Sequence, residues 1–154
     1  RKRLVDFSEE RSKSLSDALQ QAKFKRDTIE AEAWIQDKKN KFRLVLKDYN
    51  QLTDEEKIKC LLKQQAVQAE LDAHEPFINS LVQQSHSLTA NQEMKTRLQL
   101  ILEDWEEVKE NAARIASDLS QARDMLRIHD LFEKIEAWIK EKVALSVVKL
   151  VIFF

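Results

Sequence analysis

The sequence of 154 residues contains no glycine, a single proline (Pro76) and a single cysteine (Cys60). Glycine and proline supply most tight turns, so their scarcity excludes a fold of many short elements and favours a few long helices. The lack of glycine also excludes a phosphate-binding loop, which needs glycine for close backbone approach. One cysteine cannot form an intramolecular disulfide, which is typical of proteins in a reducing compartment.

Charge and hydropathy exclude further classes of protein. The 26 Lys and Arg nearly balance the 27 Asp and Glu, so we expect no nucleic-acid partner and no attraction to an anionic membrane. The most apolar segment, residues 143–154, includes Lys149 and is shorter than the roughly 20 residues that a membrane-spanning helix needs. Arg1 to Leu4 lead directly into charged amphipathic sequence, so we expect no signal peptide.

Heptad spacing predicts three long helices. The clearest pattern predicts a helix over about 91–126, in which apolar or small residues alternate three and four positions apart. These residues are Leu98, Ile101, Trp105, Val108, Ala112, Ile115, Leu119, Ala122 and Leu126. A second helix is predicted over about 54–87, where one series recurs every seven residues and another interleaves with it. The two series are Cys60, Val67, His74, Leu81 and Leu88, and Gln64, Leu71, Ile78 and Ser85.

The first helix is predicted over about 14–49, where Phe24, Ala31, Trp34, Ile35, Lys38, Phe42, Val45 and Tyr49 share one face. Thr53–Glu56 and Thr89–Gln92 have the form of capping boxes that open the second and third helices. The connections are short, and short connections make successive helices antiparallel neighbours. The predicted fold is therefore all-α, an antiparallel three-helix coiled-coil bundle. Pro76 is expected to kink the second helix without breaking it, because the heptad continues through it.

An internal repeat is the most specific signal in the sequence. The run Glu-Ala-Trp-Ile occurs at residues 32–35 and again at 136–139, so that Trp34 and Trp138 are 104 positions apart. This spacing predicts four segments. Residues 1–20 end the third helix of a preceding unit, 21–125 form a complete unit, 126–142 start a following unit, and 143–154 form an apolar tail that we do not expect to continue the helix.

These motifs resemble the spectrin repeat over residues 1–142. The first helix carries the resemblance in Phe24-Lys25-Arg26-Asp27, Glu32-Ala33-Trp34-Ile35 and Lys38. The second carries it in Leu71, His74, Ile78 and Leu81, and the third in Trp105, Val108, Ala112, Arg114 and Leu119. The superfamily includes spectrins, alpha-actinins, dystrophin relatives and plakins, and the Glu-Ala-Trp-Ile run favours spectrin itself.

The resemblance implies a structural spacer in an actin-crosslinking membrane-skeleton protein, located in the cytoplasm beneath the plasma membrane. It implies neighbouring repeats, other spectrin chains and ankyrin as partners, with actin bound through other domains. An alternative is a repeat that acts as a specific docking or oligomerisation site. His74, Glu75, Pro76 and Phe77 are the candidate partner surface, and the tail at 143–154 is a candidate for self-association.

Catalytic, cofactor and metal sites are not expected. The tryptophans are interpreted as core residues, because aromatic residues at heptad spacing usually pack. His74 lacks neighbouring ligands for a metal, since His86 and His129 are twelve or more positions away. Cys60 is interpreted as a small core residue, since no glycine is present to shape an oxyanion turn. The predicted core is Trp34, Leu71, Ile78, Leu81, Leu98, Trp105, Val108, Ile115 and Leu119.

Overall fold

The computed structural model describes residues 1–88 and 91–154, apart from the side chain of residue 61. Three α-helices account for nearly all of them: α1 (Lys2–Asp48), α2 (Asp54–Ser87) and α3 (Gln92–Phe153). A short 3₁₀ turn, Tyr49–Gln51, follows α1. The described residues contain no strand, and the predicted all-α fold is confirmed.

Contacts between side chains fix the direction of each helix. Arg97 of α3 pairs with Glu32 of α1, and Lys39 of α1 pairs with Asp104 of α3; both pairs are 65 positions apart. This constant offset means that α1 and α3 run parallel. The pairs Trp34–His74 and Lys38–Glu70 show that α2 runs antiparallel to α1, because the later residue of α1 meets the earlier residue of α2. The chain therefore folds up, down and up again, as the short connections predicted.

The core lies along the seam shared by the three helices. Every buried residue that α3 contributes is at a predicted heptad position: Leu98, Ile101, Trp105, Val108, Ala112, Ile115 and Leu119. The apolar core residues of α1 and α2 are Phe24, Ala31, Ile35, Phe42, Leu71, Ile78 and Leu81. A three-four spacing places such side chains on one stripe of a helix, and that stripe is removed from water only when partner helices cover it.

Caps define where α2 and α3 begin. Thr53 and Glu56 form the predicted capping box: the Thr53 backbone N–H donates to Glu56 Oε2 at 2.8 Å, and Thr53 Oγ1 accepts from the Glu56 N–H. The hydrogen bonds that Glu56 accepts from Thr53 lower the pKa of the Glu56 carboxyl, and the bond from the backbone N–H has the largest effect. The cap predicted around Thr89 lies partly outside the described residues. Asn91 is the N-cap of α3, accepting from the Met94 N–H at 2.9 Å.

Pro76 lies inside α2, which runs without interruption from Asp54 to Ser87. Proline has no N–H to donate to the carbonyl four residues earlier, so one helical hydrogen bond is lost there. The helix nevertheless continues, because the apolar residues on both sides of Pro76 remain on the core seam. Leu71 precedes the proline and Ile78 follows it, and both are buried.

Two helices extend beyond the bundle at opposite ends. Residues 1–23 of the chain are exposed before α1 enters the core, and residues 127–154 are exposed after α3 leaves it. The expectation that residues 143–154 do not continue the helix is wrong, since α3 reaches Phe153. The physical reason is that β-branched and aromatic residues lower helix propensity only slightly, and no glycine or proline stops propagation.

Candidate functional site

A stacked pair of aromatic rings joins α1 to α2 in the middle of the bundle. The ring of Trp34 in α1 lies 3.9 Å from that of His74 in α2, with 16° between the ring planes. On the other side, Trp34 approaches Trp105 of α3 at 5.9 Å. Trp34 is half-buried and not buried as predicted, because it sits at the edge of the seam, where the imidazole is one of its covers. The pair joins α1 to α2 while Trp105 fills the core beneath.

Charged groups surround this stack. Lys38, buried on α1, forms an ion pair with Glu70 of α2, and its Nζ lies 5.3 Å from the centre of the Trp34 ring. His74 Nδ1 lies 3.2 Å from the backbone carbonyl oxygen of Glu70. A carbonyl can only accept, so Nδ1 is the donor. The buried ammonium of Lys38 needs the Glu70 carboxylate as its partner, because removing an unpaired charge from water is costly.

A second set of ion pairs joins α1 to α3. Lys39 Nζ lies 2.8 Å from both Asp104 and Glu107. Hydrogen bonds to these two carboxylates raise the pKa of Lys39 above its usual value. Glu32 and Arg97 form a further link at 2.5 Å. Together with the stack, these pairs fix the register of the helices.

The sequence did not reveal these pairs. The heptad pattern shows which residues face a partner helix but not how far one helix is shifted along another. The offset of 65 positions that brings Glu32 to Arg97 and Lys39 to Asp104 depends on that shift. A lysine at a core position, Lys38, was the one available signal, since a buried lysine requires an acceptor on a neighbouring helix.

The predicted partner surface is partly covered. Glu75 and Pro76 are exposed, while His74 and Phe77 are half-buried. His74 is occupied by the stack with Trp34, and Phe77 packs against the core. The segment therefore presents one carboxylate and one proline ring to solvent. Whether a partner docks there stays a prediction.

The other predicted core residues are buried in the bundle: Leu71, Ile78, Leu81, Leu98, Trp105, Val108, Ile115 and Leu119. Cys60 is half-buried and has a free thiol. Within residues 1–88 and 91–154, no three His, Cys, Asp or Glu side chains are grouped so that they could hold a metal ion. Nor does any helix in that part of the chain combine the length and apolar character needed to cross a membrane.

The projecting helices carry the largest exposed apolar faces. The α3 projection exposes Leu131, Phe132, Ile135, Trp138 and Ile139, and its last two residues, Phe153 and Phe154, are 85% and 103% exposed. Trp138 occupies the same place in the repeated motif as Trp34, yet it is 59% exposed where Trp34 is half-buried. An exposed apolar helix face of this size is typical of a surface that packs against other helices.

A bundle of three helices in up-down-up order, whose first and third helices continue beyond it with repeated motifs, defines a structural helical repeat. The chain is similar to the human spectrin beta chain, non-erythrocytic 5, with 32% identity over 148 residues, 92% of this chain and 4% of the relative. It is also similar to the mouse spectrin alpha chain, erythrocytic 1, with 31% identity over 128 residues, 79% of this chain and 5% of the relative. The chain belongs to the spectrin-repeat family.

The aligned region is a small part of both relatives, whose full length is about twenty to twenty-five times greater. No family model matches the chain, and no solved structure matches it significantly.

Proposed function

We propose that this chain is a structural spacer in the rod of a cytoskeletal, actin-crosslinking protein of the membrane skeleton. The observation that supports this role most directly is the continuity of α1 and α3, which leave the bundle at opposite ends as unbroken helices. A helix shared by successive units transmits bending and tension between them. The role is mechanical and not enzymatic, and its place is the cytoplasm beneath the plasma membrane.

The repeat supports the proposed division of the chain. Residues 21–125 form the complete unit, residues 1–20 the end of a preceding unit and residues 126–142 the start of a following one. The exposed faces of the two projections are then the surfaces that neighbouring repeats cover. Proposed partners are these repeats, other spectrin chains and ankyrin, with actin bound by other domains.

Pulling on the chain by its two ends tests the mechanical role. The variant carries Cys60→Ser, and the handles are attached through Arg3→Cys and Ile152→Cys. We expect one cooperative rupture event as the bundle unfolds. About 100 residues extending at roughly 3.5 Å each would lengthen the chain by around 300 Å, once the folded length is subtracted. Smooth extension with no rupture event would contradict an elastic rod element.

A second candidate function is docking or oligomerisation, favoured by the exposed carboxylate of Glu75 beside Pro76. Purified ankyrin and spectrin chains are the partners to assay. If this surface docks them, Glu75→Arg weakens binding, while Glu55→Arg, an exposed change in the first turn of α2, leaves it unchanged. Equal binding by both variants would exclude residues 74–77 as the docking surface.

A further inference from the structure

A small groove opens between α1 and α2 in the half of the bundle nearer their connection. Its volume is about 100 Å³. Five side chains give it an almost entirely apolar wall: Phe42, Val45, Cys60, Val67 and Ile115. Because the groove is open on one side, a ligand can reach it without unfolding of the bundle.

The groove exists because α2 fills this part of the seam poorly. The heptad positions that α2 contributes here are Cys60, Gln64 and Val67, which are small or polar compared with Leu71, Ile78 and Leu81 further along. Gln64 turns its amide to the carbonyl of Ala112 and so does not fill the gap. Apolar walls without opposing atoms lose dispersion contacts, which an apolar ligand would restore.

Every charged side chain that lines the groove among the described residues is a lysine: Lys38, Lys41 and Lys63. Lys38 is paired with Glu70, and Lys41 with Asp37 at 2.7 Å. Lys63 takes part in none of the ion pairs found in the described part of the chain. The charges of Lys38 and Lys41 are balanced by their paired carboxylates, so the positive charge left at the rim for a ligand is that of Lys63.

An apolar wall with a positive rim matches a ligand that has a hydrocarbon part and a negative head. The volume is below the 150 Å³ or so of an engineered apolar cavity that binds benzene, so the groove can enclose only part of a flexible hydrocarbon chain, and the rest of the chain lies along its open side. We propose that this groove binds a medium-chain fatty-acid anion, with its hydrocarbon against Cys60 and Val67 and its carboxylate at Lys63.

Cys60 reports on the groove directly, because it is the single cysteine of the chain and lines the wall. The experiment follows the rate at which N-ethylmaleimide alkylates Cys60 in the full chain, as octanoate is added. Octanoate is expected to slow alkylation in a saturable way. Octanol, which has the same chain without the charge, is expected to protect only at higher concentration, and acetate not to protect at all.

The role of the rim is tested with Lys63→Gln, an exposed substitution that leaves the core untouched. An exposed ion pair contributes little, so the octanoate concentration for half-protection should rise about two- to fivefold. Lys95→Gln, on the exposed side of α3, is the matched control and should leave that concentration unchanged.

Three results would overturn the proposal. The first is an absence of protection by octanoate, and the second is protection by octanol equal to that by octanoate. The third is protection that grows with protein concentration in the absence of octanoate, which would assign the groove to a second copy of the chain. An unchanged half-protection concentration in Lys63→Gln would overturn the assignment of the carboxylate to that lysine.

Discussion

Single residues hold this bundle together through a few well-placed contacts. Trp105 is 3% exposed and touches Trp34 from below, so it connects the aromatic stack to the core. Gln64, Lys38 and Lys39 are polar residues inside or beside the core, and each has a partner on another helix. Polar groups placed in this way fix one register, because any shift would leave them unsatisfied.

Replacing Trp105 with alanine should be strongly destabilising. Removing a large buried aromatic side chain leaves a cavity and costs about 3–5 kcal/mol of unfolding free energy. Urea denaturation followed by circular dichroism measures the loss. The matched control is Trp138→Ala, at a tryptophan that is 59% exposed and whose removal should change stability little. Retention of wild-type stability in Trp105→Ala would show that the core is not centred on this residue.

The capping box at Thr53 and Glu56 predicts a specific pH dependence. The Thr53 N–H lowers the pKa of Glu56 in the folded chain below its ordinary value of 4.5. A carboxylate with a lowered pKa contributes stability that is present above the ordinary value and is lost as pH falls through the folded value. The stability difference between wild type and Glu56→Ala should therefore be constant near neutral pH and shrink in acid.

The control for this prediction is Glu55→Ala, a neighbouring carboxylate in the same first turn of α2. Glu55 interacts with the helix dipole but is not part of the box. Unfolding free energies measured from pH 3 to pH 7 compare the two variants. If both differences from wild type had the same size and the same pH profile, the capping box would contribute nothing beyond general helix-end electrostatics.

At the scale of elements, the sequence predicted the helices and their up-down-up order but not the axial shift of one helix along another. The α3 core positions from Leu98 to Leu119 are buried where the pattern placed them. The pattern could not show the axial shift between helices, so the ion pairs of Lys39 and Arg97 were missed. It also gave no account of Trp34 at the seam edge, because exposure there depends on which side chain, here His74, lies opposite.

The end of α3 was misjudged for a different reason. Residues 143–154 lose the charged face of an amphipathic helix, and their β-branched and aromatic residues are typical of strands and aggregation-prone segments. A helix that is already nucleated adds residues at little cost, so α3 continues through this segment to Phe153.

The exposed end of α3 predicts self-association. An apolar helix surface open to water is expected to pack against another copy. Deleting residues 143–154 should lower the apparent mass in sedimentation velocity at high micromolar concentration, while the melting of the bundle stays nearly unchanged. A second variant, with glutamate at Val147, Val151 and Phe154, keeps the length and should act likewise. A wild-type chain that sediments as a monomer at this concentration would contradict the prediction.

At the scale of the whole molecule, the chain is a rod whose helices run continuously through and beyond one bundle. The register of α1 against α3, with residues 65 positions apart side by side, sets its length. From Lys2 at one end to Phe153 at the other, a rise of 1.5 Å per residue gives a rod of about 130 Å.

Small-angle X-ray scattering from the monomer peak of a size-exclusion column measures this length most directly. The chain carrying the three glutamate substitutions at residues 147, 151 and 154 provides a matched sample in which association is suppressed. A continuous rod is expected to have a maximum dimension of about 130 Å in both samples, with the cross-section of a three-helix bundle. A maximum dimension near 60 Å would mean that the projecting helices fold back on the bundle, and it would contradict the continuous rod.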